Sequence, residues 1–164
     1  MTSSEEDIAA IRDEVNAVER RAPVDLGLRA IIIAVAVFVL IVGYILPWMG
    51  DSAGWQVLLG TDDAAGRAGT VPRLFAGTSL AFGIVTSALA LALRRWPLIW
   101  AAALGGWFAA VDGLLAIWTR QSTAGLTSPG PGIGLAISEA AMVVTAALWL
   151  KTAWTRPPAN HNAD

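Results

Sequence analysis

Residues 98–118 read LIWAAALGGWFAAVDGLLAIW, 21 positions with a single charge, Asp112. A run of about 20 apolar residues is the length of a helix that crosses the hydrocarbon core of a bilayer. Gly105, Ala109 and Gly113 recur at every fourth position. They make one face of that helix thin enough for close helix packing. Asp112 borders this face. A carboxylate at such depth is expensive when it faces lipid, so it is expected to point inward and to have a partner.

Three further apolar runs, about 26–46, 72–93 and 132–150, have the same character. Together the four predict an all-α membrane protein, a four-transmembrane-helix bundle over residues 23–155. Pro47 ends the first run, and Arg29 near its start can extend to the headgroups. The second run is rich in small and hydroxyl residues, Gly77, Thr78, Ser79, Gly83, Thr86 and Ser87. It is therefore expected to be enclosed by neighbours. Arg94-Arg95-Trp96-Pro97 reads as a tight turn, and SPGPG at 128–132 as a stiff entry to the fourth run, which carries a second acid, Glu139. In the long connection 47–73, Trp48, Trp55, Val57, Leu58 and Leu59 are too apolar for a free loop. They read as an interfacial cap, with Trp55 to Leu59 a short helical turn or an extended segment on the rim.

Residues 1–22 predict a cytoplasmic amphipathic helix. Ser3 and Glu6 have capping-box spacing, and Ile8, Ile11, Val15 and Val18 fall on one narrow seam. The seam suits either an arm lying on the membrane or its own bundle, or a helix that docks on another subunit. Six acids against three arginines in this segment argue against an anchor for anionic lipid. The polar stretch ahead of the first run is too long for a cleavable signal peptide. Residues 156–164 read as a disordered polar tail.

Composition narrows the chemistry. The 164 residues are 55% hydrophobic and 15% charged, with no cysteine. Disulfides, zinc–thiolate sites and cysteine nucleophiles are thereby excluded. The one histidine, His161, lies in the polar tail. A net charge of −2 gives no reason to expect nucleic acid. No HExxH, GxSxG or phosphate-loop pattern occurs, so no enzyme, cofactor or metal is expected. With the N-terminus inside, eight cations (Arg12, Arg20, Arg21, Arg29, Arg94, Arg95, Lys151, Arg156) face the cytoplasm and three (Arg67, Arg73, Arg120) the outside. That imbalance predicts a multi-pass plasma-membrane protein with both termini cytoplasmic. Trp48, Trp55 and Trp118 are assigned to the outer interface, and Trp96, Trp100, Trp149 and Trp154 to the inner one.

The one polar constellation is Asp112 with Glu139, expected at a common level, roughly 10 Å below the outer surface at 1.5 Å of rise per residue. Thr78, Tyr44, Arg73 and Arg120 are expected close by. Three readings stay open. The acids are satisfied structurally, by the arginines, by hydroxyls or by sharing a proton. They make polar contacts with another subunit's helix. Or they handle protons, ions or a polar substrate.

LPWMGDSAGWQVLLG, VPRLFAG, WFAAVDGLLAIWTRQ and SPGPGIGLAISEAAM, spread over Leu46 to Met142, resemble segments of small four-span actinobacterial membrane proteins. The resemblance extends to LucB-type accessory subunits of mycobacterial MCE lipid importers. It implies a non-enzymatic accessory subunit of an inner-membrane complex, bound beside the permease helices. Its partners would be permease subunits, an ATPase, MCE proteins and the bilayer. A small oligomeric transporter using Asp112 and Glu139 is the alternative, with a membrane-embedded enzyme third.

Overall fold

The computed structural model describes residues 27–61, 68–123 and 130–155. The seam Ile8, Ile11, Val15 and Val18, Arg67 and the tail 156–164 lie outside the described residues. The described chain is mostly helical. It comprises α1 (Gly27–Ile45), a hairpin of β1 (Pro47–Met49) and β2 (Ser52–Ala53), short α2 (Gly54–Leu59), α3 (Thr70–Leu93), α4 (Trp96–Thr123) and α5 (Ile133–Trp154).

α1 is rich in β-branched residues, which are indifferent helix formers. Tertiary packing carries it instead. Ile33, Ala36, Val37, Leu40, Gly43 and Tyr44 recur at spacings of three and four and are buried along one stripe. Pro47 cannot continue the helix and opens the hairpin. Gly50, with φ 54°, makes its turn. The backbone N–H of Ala53 then donates to Gln56 Oε1 at 2.7 Å, which starts α2. α5 is tied to the hairpin by the N–H of Gly132, which donates to Trp48 O at 2.7 Å.

α3 is not uniform. Thr70–Thr78 and Ser87–Leu93 are α-helical, but Ser79–Thr86 between them winds as a π-helix. The hydroxyls of Thr86 and Ser87 donate to carbonyls five residues back, Ala81 O at 2.8 Å and Phe82 O at 3.0 Å. Such wide turns are rare and are frequent at functional sites. Arg94, at φ 48°, closes α3 in a left-handed conformation.

Two buried clusters fill the bundle. One, around Leu40, Tyr44, Trp48, Phe75, Leu135 and Met142, joins the hairpin and α2 to the long helices. The other, around Ile33, Ala90, Ile99, Ala102 and Trp149, occupies the opposite end. Trp48 and Trp149, assigned by sequence to the interfaces, are fully buried. Each indole N–H has a protein acceptor at 2.9 Å, Gly43 O for Trp48 and Ser87 Oγ for Trp149. With the polar edge satisfied, the ring gains by burial.

Outward, the long helices present large apolar side chains, among them Phe38 at 64% and Phe108 at 56% exposure. By length and composition, α1, α3, α4 and α5 are each long and apolar enough to cross a membrane.

Candidate functional site

The polar cluster forms where α3, α4 and α5 meet. Asp112 and Glu139 keep only 5% and 8% of their surface exposed, so both carboxyls are withdrawn from the outside. The Glu139 carboxylate lies against Gly113, the residue that follows Asp112. Thr78, not an arginine, is the hydrogen-bonding partner of Asp112: its Oγ1 lies 3.1 Å from Asp112 Oδ2. The same hydroxyl lies 3.0 Å from Leu74 O, and its single proton serves one acceptor at a time. Glu139 Oε2 is buried with no hydrogen-bond partner among the described residues, as is Ser138 Oγ one residue earlier.

Small residues let the cluster close. A Cβ on Gly113 would overlap the Glu139 carboxylate and the Phe75 ring. A Cβ on Gly105 would overlap Phe82 of the π segment. Ala109 between them is fully buried. The thin face of α4 thus packs on α3 and α5 of its own chain.

Tyr44 stands beside this cluster. Its hydroxyl lies 2.8 Å from Ser79 Oγ and donates to Ala76 O, pinning α1 to α3 at the start of the π turn. The arginines are engaged elsewhere. Arg120 donates to the carbonyl of Ala68, and Arg73 is exposed with its guanidinium against Gly60. Ser79 was the residue that sequence reasoning did not place in the cluster. A serine mid-helix, one position beyond Thr78, was the available signal.

Two carboxyls and a hydroxyl, with a phenol nearby, can hold or pass a proton. Among the described residues, no group of three or more His, Cys, Asp or Glu is placed to hold a metal ion. Thr78→Val is expected to lower stability by about 1–3 kcal/mol, because it leaves a buried carboxylate oxygen unpaired. Thr78→Ser keeps the hydroxyl and is expected to lose little. Thermal unfolding of the purified variants checks both.

Architecture and cluster define a mostly helical domain with a buried acid–hydroxyl centre. The comparisons then place it: the chain belongs to the MiaB C-terminal domain family, whose model matches residues 12–164. It is 42% identical over 152 residues to the tRNA-2-methylthio-N(6)-dimethylallyladenosine synthase of Mycobacterium avium (strain 104). That match covers 91% of this chain and 21% of the relative, so the chain spans about a fifth of the relative's length. No solved structure matches.

Several expectations are corrected by this family. The LucB-type resemblance does not hold, because the quoted segments report tight helix packing and Trp-bearing turns, which unrelated apolar bundles share. With it fall the accessory role in MCE lipid import, the transporter alternative, and the permease, MCE and bilayer partners. The expectation of no enzyme is overturned as well, since the matched relative is a synthase. The exclusion of nucleic acid is overturned because that relative's name specifies tRNA. It rested on a net charge of −2, a sum over the chain that does not report where the cations lie. The assignment as a multi-pass plasma-membrane protein with cytoplasmic termini is withdrawn too, because the family is that of a domain of a tRNA-modifying enzyme.

Proposed function

We propose that this chain works in the 2-methylthio modification of tRNA, as a domain of the modifying enzyme or as a separate chain equivalent to that domain. The observation that carries the reading is the 42% identity over 91% of the chain to a synthase of that modification. The test is to remove the chain from the cells that make it and to measure 2-methylthio-N(6)-dimethylallyladenosine in their tRNA by nucleoside mass spectrometry. Loss of the modified nucleoside, restored by the intact chain, is expected. An unchanged level would sink the proposal.

A finer reading of the fold, independent of the withdrawn importer partners and plasma-membrane assignment, is a bundle whose four long helices span a lipid bilayer. Their lengths of 19 to 28 residues and mean hydropathies of 1.6 to 2.7 support it. So do the large side chains on their outer faces, such as Leu114 and Val144, which water would penalise. The buried acids fit the same reading, since ionisable groups at membrane depth face the bundle interior. Recovery of the protein from lysed cells without detergent, in the soluble fraction, would refute this part alone.

A further inference from the structure

We infer that the end of the bundle carrying Arg29, Arg94, Arg95 and Lys151 is the face that meets tRNA, through its phosphodiester backbone. This rests on the tRNA-modification reading above.

Four separate positions bring these cations together. Arg29 lies in the first turn of α1, Arg94 and Arg95 form the turn between α3 and α4, and Lys151 lies in the last turn of α5. The helix ends that carry them pack around one core, with Ala30, Leu91, Trp96, Leu98 and Leu150 against Ile33, Ile99 and Trp149. Arg29 Nη1 donates to Thr155 Oγ1 at 3.3 Å, which links the start of α1 to the end of α5.

The described acids lie elsewhere. Asp51 is in the hairpin turn, and Asp112 and Glu139 are in the buried cluster. Among the described residues, then, four cations share this end with no carboxylate to neutralise them. Arg94, Arg95 and Lys151 are exposed. Arg94 also occupies a left-handed position, where glycine or asparagine is the less strained choice. Trp154, one turn beyond Lys151, and Trp100, five residues beyond Arg95, are 73% and 37% exposed.

Cations without counter-charge among the described residues, on an end that also exposes tryptophans, suit a nucleic acid, whose phosphates neutralise the former and whose bases stack on the latter. The phosphodiesters of an anionic lipid would answer the same charges. The family's link to tRNA selects RNA.

The test uses the full chain in phosphatidylcholine nanodiscs and an unmodified tRNA transcript, titrated at several salt concentrations. The triple variant Arg94→Gln, Arg95→Gln, Lys151→Gln is expected to bind at least about tenfold more weakly. Its log–log salt slope should be shallower by about 2–3, one lost phosphate contact per cation. Arg73→Gln, away from this face, and the charge-keeping set Arg94→Lys, Arg95→Lys, Lys151→Arg should bind as the parent does. Equal tRNA binding by the triple variant overturns the inference. So does a parent chain that ignores tRNA but retains phosphatidylglycerol over phosphatidylcholine through the same three cations, which assigns the face to lipid headgroups. If tRNA modification survives removal of the whole chain, the broader reading has failed. If only the chain's removal abolishes modification, while the triple variant restores it and binds tRNA normally, this inference alone has failed.

Discussion

Trp48→Ala is expected to destabilise the bundle by about 3–5 kcal/mol, the range for truncating a fully buried large aromatic. Trp48 has no exposed surface and is among the largest side chains buried in the protein. Its ring lies 5.3 Å from Phe75 and 5.1 Å from Tyr44, centroid to centroid. Its indole N–H donates to Gly43 O at 2.9 Å. The ring also lies against Gly54, where any Cβ would collide with it. Removing it opens a void bounded by α1, α2 and α3. Heating the variant in detergent and measuring the surviving monodisperse fraction by size-exclusion chromatography checks the size of the loss. Phe at this position keeps much of the volume but not the donor, so an intermediate loss is expected. A Trp48→Ala protein as heat-stable as the parent would contradict this account of the core.

Gly134→Val has the second large effect. A Cβ on Gly134 would lie 2.7 Å from Leu46 O and 2.8 Å from Leu46 C. Both are backbone atoms at the end of α1, so no side chain can swing aside. Gly43 faces the same contact from the other side, 3.3 Å from Gly134 O when given a Cβ. The two glycines let α1 and α5 pass at close range, and valine at 134 forces them apart. A loss near the upper end of about 1–3 kcal/mol is expected, with the same heating assay as its measure. Gly77→Ala is the control, because nothing lies within 4 Å of a Cβ there and the position is helical. It is expected to be neutral or slightly stabilising.

The helices were legible because a long apolar run carries its own evidence. The run 98–118 is compatible with helix throughout, and Asp112 is its single charged interruption. The relation between Asp112 and Thr78 was legible only as proximity. Which hydroxyl or cation becomes the partner depends on the rotation of α3 about its axis, and that rotation is altered by the π segment Ser79–Thr86. No periodicity argument anticipates an extra residue per turn. Arg120 illustrates the same point. Sequence placed it within reach of the acids, but it is drawn to the carbonyl of Ala68, just ahead of α3 and 52 residues away in the chain. Function was less legible still. Apolar bundles constrain their surfaces to fit lipid-like surroundings, so packing motifs resemble one another across unrelated families and carry little chemistry.

By itself, the sequence determined the helical class, the break at Pro47, and the withdrawal of Asp112 and Glu139 from the surface. These follow from local composition, backbone restriction and the cost of an exposed charge in apolar surroundings. Only the tertiary structure decided that Trp48 and Trp149 are core residues, that Thr78 is the partner of Asp112, and that Arg29, Arg94, Arg95 and Lys151 share one end. Each of those depends on residues far apart in the chain. Their meeting is set by helix rotation and close approach at glycines, neither of which is encoded in any single stretch.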